Sequence, residues 1–212
     1  MSYDGLVSRH LNRPLSRPMA RALAHTPATP NMVTAFTLLL SVVTTLLIAT
    51  GFQVAGGIGI QVVSVVDGVD GELARLKQSA TRFGGIFDAV SDRYADALML
   101  GGMTIYAVRF ESHPHAEAIG MLALAGSLIV SYSRARIEAS MGADAMESGG
   151  RSADLVFGLA SRDVRSLIAA VGTLLGQCYI TLIVLAAMTG ATIAWRLAYL
   201  RWTSGRRASS GA

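Results

Sequence analysis

The sequence predicts an all-α, polytopic membrane protein, with six transmembrane helices preceded by an amphipathic juxtamembrane helix. Three observations carry that expectation. Of 212 residues, 52% are hydrophobic and 15% charged, and the mean hydropathy of +0.47 is too high for a soluble domain of this size. Six stretches, 32–50, 54–76, 84–108, 116–136, 153–176 and 179–200, offer the roughly 20 mostly apolar residues that a spanning helix needs. The basic residues also segregate by connecting segment. Arg9, Arg13, Arg17 and Arg21 precede the first stretch, and Arg75, Lys77 and Arg82 join the second to the third. Arg134, Arg136, Arg151 and Arg162 surround the fourth-to-fifth connection, and Arg201, Arg206 and Arg207 close the chain, whereas the opposite connections hold only Arg109. By the positive-inside rule both termini are expected in the cytoplasm, at an inner membrane.

Topology thereby accounts for the formal charge of +4, and no nucleic-acid partner is called for. The single cysteine, Cys178, excludes an intrachain disulfide and a cysteine-rich metal centre. The N-terminus is polar and Arg-rich and lacks the apolar core of a cleaved signal, so the first span is expected to direct insertion.

From about residue 8 to 25, arginines recur at every fourth position, with Leu11, Leu15, Met19, Ala20 and Leu23 on other faces. Such a basic stripe suits the headgroups of the cytoplasmic leaflet. The plainer alternative is a solvated helix that only anchors topology. Pro14 and Pro18 argue against a straight rod. Thr26, Pro27, Thr29, Pro30 and Asn31 form a turn-rich break before the first span. Residues 142–152 are small and polar, and the composition from Ser204 onward is that of a disordered tail. The expected organisation is a cytoplasmic juxtamembrane helix (1–28), a six-helix membrane domain (29–203) and a cytoplasmic tail (204–212).

Acids inside spans are costly, on the order of 2.5–3.5 kcal/mol each on insertion scales, yet this chain keeps several. Asp67 and Asp70 are three residues apart in the second span, and Asp88 and Asp92 four apart in the third, so each pair occupies one helix face. With a rise of 1.5 Å per residue, both pairs lie about 8–15 Å from the cytoplasmic end. The short basic loop 78–82 makes these helices antiparallel neighbours, which brings the four carboxylates face to face. Their repulsion calls for positive charge. Two divalent cations would cancel it, and an all-oxygen site suits Mg²⁺, with Mn²⁺ as a substitute. The alternative is direct pairing with Arg75 and Arg93, two guanidinium groups for four acids. Gly71 and Gly84 lack side chains where a bulky ligand would approach backbone, whereas Gly85 is expected to serve close helix packing. Arg75, one turn after Gly71, could reach a phosphate, and Asp96 is expected to pair with Arg93.

The run Asp67-Gly68-Val69-Asp70-Gly71-Glu72-Leu73-Ala74-Arg75, followed after eight residues by Gly84 and then by Asp88 and Asp92, resembles the CDP-alcohol phosphotransferase signature at every fixed position. The resemblance implies a metal-dependent transfer of a phospho-alcohol group from a CDP-alcohol donor to an acceptor hydroxyl, releasing CMP. It implies that Asp67, Asp70 and Asp88 hold one ion, that Asp67, Asp88 and Asp92 help hold the other, and that Asp92 is the general base. It further implies a CDP pocket lined by Asp70, Gly71, Ala74, Arg75 and Gly84, closed by Asn31, and a homodimer. An Asn in Asn31's position is also often only a helix cap.

Arg134, Arg136, Arg162 and Arg165 form a second basic group, suited to a phosphate-bearing acceptor such as inositol phosphate or, alternatively, to anchoring topology. The segment Asp4 to Ser16, the context of Asp67 and the run Ser161-Arg162-Asp163-Val164-Arg165 resemble the di-myo-inositol phosphate phosphate synthase branch. Phosphatidylinositol phosphate synthases are the neighbouring possibility, and a phosphatidylglycerophosphate-type synthase would use another acceptor. A Mg²⁺-dependent prenyltransferase would also use paired aspartates, but Ala74, Arg75 and Gly84 favour a nucleotide. A divalent-cation transporter would need acids in the other half of the bundle. His113 and His115 read as exposed loop residues.

Overall fold

The structure, a computed structural model, describes residues 8–141 and 161–210. Every regular element in them is helical. A π-helical turn, Ser8–Asn12, leads into α1 (Arg13–Ala24), followed by α2 (Pro30–Ala49), α3 (Gln53–Leu76), α4 (Arg82–Tyr106), a π turn Ala107–Glu111, α5 (Ala116–Met141), α6 (Arg162–Leu174) and α7 (Cys178–Ser210). Four helices are long and apolar enough to cross a membrane: Pro30–Ala49, Gln53–Leu76, Ala116–Ile137 and Cys178–Trp202. The other two expected spans fall short for identifiable reasons. α4 carries Asp88, Asp92, Arg93 and Asp96, and α6 has 13 residues. The segments 142–152 and 153–160, expected to be a polar loop and the start of the fifth span, lie outside the described residues. α7 runs on to Ser210, past the Ser204 at which a disordered tail is expected; extending a formed helix costs far less than nucleating one.

Threonines start two of the helices. Thr29 caps α2 by accepting from Met32 N at 3.3 Å, and Thr81 caps α4 by accepting from Gly84 N at 3.0 Å. At the other end of the bundle, the Glu111 carboxylate accepts from the backbone N–H groups of Cys178 and Tyr179 at 2.5 and 2.8 Å, a charge placed where the α7 dipole favours it.

The helices close into a ring in which α2 packs on α3, α3 on α6, α6 on α7, α7 on α5, α5 on α4, and α4 back on α2. One expectation is corrected here. α3 and α4 are not packed neighbours despite their short loop; both lean on α2 and leave a cleft between them. The main apolar core, which includes Ile48, Ile60, Met103 and Leu182, fills the interior away from this cleft. A smaller cluster of Ala20, Val33, Val66, Val69 and Leu73 joins α1, α2 and α3 behind it.

α1 lies across α3. Asn12, Ser16 and Ala20 form its buried spine, Leu11, Leu15 and Met19 are exposed along one flank, and Arg13 and Arg17 reach the Glu72 carboxylate from the other. Asn12 donates to Ser64 Oγ at 3.0 Å and accepts from Gln61 at 2.9 Å. Ser16 Oγ stands 3.4 Å from where a Cβ on Gly68 would be, so Gly68 serves this helix crossing.

The α3–α6 crossing is tighter. A Cβ on Gly57 would meet Leu174 N at 2.7 Å and Ala170 O at 2.8 Å, backbone atoms that cannot step aside. Gly57→Ala is therefore expected to destabilise the protein by about 1–3 kcal/mol and lower its melting temperature in detergent. Gly101→Ala, where nothing stands within 4 Å, is expected to gain about 0.5–1 kcal/mol in the same measurement.

Candidate active site

The cleft between α3 and α4 is where the signature acids meet. Spacings of three and four turn Asp67 and Asp70, and Asp88 and Asp92, inward. One carboxylate oxygen from each of Asp67, Asp88 and Asp92 lies within 4.8 Å of the others. Asp70 stands beside this triangle, buried, accepting from Thr34 Oγ1 at 2.6 Å and from Gly71 N at 2.5 Å. Like Asp88 it lines the adjoining cavity. Carboxylates 4.8 Å apart repel by ~3.5 kcal/mol per pair at an effective dielectric of about 20. The donor set is all oxygen and converges from two helices, which fits a hard divalent cation.

Positive charge also reaches these acids from α6. Arg162 Nη1 bonds Asp67 and stands 3.0 Å from Asp92 Oδ1, while its Nε donates to Asp96 Oδ1 at 3.2 Å. The direct pairing considered from the sequence thus involves Arg162 and not Arg75. Arg93 contributes one contact, 3.6 Å to Asp92, and bonds Ser131. Asp96 is engaged by Arg162 and Arg165 rather than by Arg93, because α6 brings its own guanidinium groups to that face of α4.

A cavity of about 530 Å³ opens beside the acids, within the range of small-molecule sites. Asn31, Asp70, Gly71, Ala74, Arg75 and Gly84 all line it. Thr29 supplies the helix cap, so the Asn31 amide is left to face Gly84, with Oδ1 3.1 Å from where a Cβ would be. Gly85 also lines the cavity, with nothing within 4 Å of its Cβ position. Its expected role in helix packing is overturned. Arg75 pairs with Glu72 at 3.3 Å, the carboxylate that also binds Arg13 and Arg17. Lys77 ties down the cavity rim by donating to Thr26 O and Ala28 O at 2.6 and 2.8 Å.

On the other side of the acids, Arg93, Arg134, Arg162, Arg165 and Arg196 line a cavity of about 100 Å³. Arg136 is exposed and does not line it; two residues along a helix turn about 200°, away from Arg134. Arg196, buried in α7, was not among the sequence candidates. A charged residue inside an apolar run is the signal that could have found it. It donates to Val130 O at 2.6 Å and Ser133 Oγ at 2.7 Å. Among the described residues, Arg165 Nε and Ser161 Oγ find no hydrogen-bond partner, and both residues face this cavity, where a bound polar group would satisfy them.

Comparison with known proteins supports the same assignment. The chain is 43% identical over 93% of its length to a bifunctional IPC transferase and DIPP synthase of Rubrobacter xylanophilus, 43% of which is covered. The chain spans less than half the length of this and two other such relatives. The crystal structure of Mycobacterium tuberculosis phosphatidylinositol phosphate synthase with CDP-DAG bound aligns with a TM-score of 0.72 at 26% identity, covering 87% of this chain and 92% of that one. The same synthase in complex with manganese and citrate aligns with a TM-score of 0.70 at 25% identity, over 86% and 87%. Residues 27–202 match the CDP-alcohol phosphatidyltransferase model, and with the signature acids gathered in one cleft the chain belongs to that family.

Proposed function

We propose that this chain transfers a phospho-alcohol group from a CDP-alcohol to a hydroxyl of a phosphorylated polyol, most simply inositol phosphate, and releases CMP. The observation that carries this reading is the position of the acid cluster between a nucleotide-sized cavity and an arginine-lined one. Asp67, Asp70 and Asp88 would hold one divalent ion, and Asp67, Asp88 and Asp92 a second, Mg²⁺ or Mn²⁺. Such ions neutralise the pyrophosphate and the charge on attacking and leaving oxygens. Asn31, Gly71, Ala74, Arg75 and Gly84 form the wall for the cytidine diphosphate. Arg134, Arg162, Arg165 and Arg196 receive the acceptor phosphate, and Arg136 has no part in it. Asp92, which reaches both the acids and Arg162, accepts the proton as the acceptor oxygen bonds to phosphorus and the bond to CMP breaks.

The membrane reading follows from the same layout. We take α4 and α6 as the remaining two of six spans, their charges facing the ring interior. α1 would lie in the headgroup region, Leu11, Leu15 and Met19 toward acyl chains and arginines toward phosphates. Positive-inside bias puts both termini and the cleft on the cytoplasmic side of the inner membrane. A homodimer is part of the proposal through the family resemblance.

The Rubrobacter relative favours CDP-inositol as donor, and the CDP-DAG complex of the mycobacterial synthase favours a lipid donor. CMP release measured with each donor and inositol phosphate is expected to be seen with CDP-inositol; release with CDP-DAG alone would move the chain to the phosphatidylinositol phosphate synthases. Asp92→Asn is expected to lower CMP release about a hundredfold or more while the ion held by Asp67, Asp70 and Asp88, and donor binding, are retained; substantial turnover by this variant would remove Asp92 as the base. Chelation by EDTA is expected to abolish CMP release and weaken cytidine nucleotide binding, both restored by Mg²⁺ or Mn²⁺. Identical nucleotide binding with and without metal would contradict the site.

A further inference from the structure

Asp96 lies one turn beyond Asp92 on α4, outside the family signature, and its carboxylate joins three helices. Oδ1 accepts from Arg162 Nε at 3.2 Å. Oδ2 accepts from Arg165 Nη2 at 3.4 Å and from Ser127 Oγ at 3.3 Å. Ser127 in turn takes Arg165 Nη1 on its hydroxyl at 2.5 Å and on its backbone carbonyl at 3.1 Å. Beside the carboxylate is a space of about 40 Å³, bordered by Val63, Met99, Leu100, Ala123 and Leu185 and, on its polar side, by Ser127 and the two arginines; an unpaired charge against its apolar wall would be costly. In front are the two guanidinium groups that line the arginine cavity.

We propose that Asp96 is the positioning residue of the acceptor subsite: it holds Arg162 and Arg165 in the geometry that receives a phosphate. This rests on the reading of the arginine cavity as the acceptor site. Arg162 is contested, since Asp67 and Asp92 bind its Nη1 end while Asp96 grips Nε. Without the Asp96 charge, no other acid among the described residues on that side opposes the pull of Arg162 toward Asp67 and Asp92. Arg165 loses the partner that orients its second amino group. An arginine side chain loses rotamer freedom when it is fixed on a ligand, so a fork already held in place binds phosphate better than a mobile one.

Positioning and simple charge balance predict opposite results. Asp96→Asn removes a negative charge beside an anion site, so if balance were the only role, phosphate would bind more tightly. With positioning, inorganic phosphate binding to the full chain at saturating Mg²⁺ is expected to weaken about tenfold, the typical effect of losing an orienting partner. The KM for inositol phosphate is expected to rise similarly, with kcat and cytidine nucleotide affinity within about threefold of the parent, and Asp96→Glu is expected to recover part of the loss. Should Asp96→Asn fail to fold, Ser127→Ala decides, because it keeps every charge and removes the hydroxyl between Asp96 and Arg165; it too is expected to weaken phosphate. Unchanged or tighter phosphate binding in the variant that folds would overturn the proposal, as would a parent protein that binds no phosphate. A parent that binds phosphate yet releases no CMP with inositol phosphate would instead refute the choice of acceptor, leaving the phosphate affinities to judge Asp96.

Discussion

Negative charge gathered in a medium of low polarity governs this molecule. Asp67, Asp88 and Asp92 converge within 4.8 Å, with Asp70 beside them, in helices that elsewhere carry apolar side chains. The three are half-buried, so their repulsion is only partly screened, and neighbouring or bound cations offset it. The ring of helices answers that demand from two sides. α3 and α4 stand apart so that four carboxylates share one cleft, and α6 sends Arg162 into it. An arrangement in which α3 and α4 packed directly would have no room for ions or for a pyrophosphate.

The acids also divide the cleft. On one side lies the larger cavity, where Gly71, Gly84 and Gly85 leave backbone open among Asp70, Asp88, Arg75 and Lys77. On the other, guanidinium groups from α4, α5, α6 and α7 surround a small space. A transfer between two bound partners benefits from this division, because reactants held on opposite sides of the reacting phosphorus need no further search. Arg162 reaches both the acids and the arginine-lined cavity, and, as proposed, Asp96 keeps it from turning wholly toward the acids.

α1 extends the same network to the surface. Glu72 takes Arg13, Arg17 and Arg75, so a helix exposed along its apolar flank is tied, through Arg75, to the wall of the larger cavity. Gly68 permits this contact by letting Ser16 approach α3. The stretch from Asp67 to Asp92 thus contains acids that meet in the cleft, glycines that line the cavity beside them and, at a position the signature leaves free, a glycine that makes room for another helix.

By itself the sequence determined most of the helical stretches, though not the continuation of α7 past Ser204, and it determined where the acids lie along them and which family they mark, because apolar length and a three- or four-residue spacing are local properties of a helix. The family resemblance grouped Asn31, Gly71, Ala74, Arg75 and Gly84 in one pocket, and they line one cavity. Only the tertiary structure decided what lies between helices. Gly85 faces open space, Arg136 turns away from Arg134, Arg196 enters from the last helix, and Asp96 takes arginines from α6 in preference to its own neighbour Arg93. Partners more than 60 residues apart in the chain leave no periodic trace in it; their pairing follows from how the ring closes, and that depends on packing along every crossing at once.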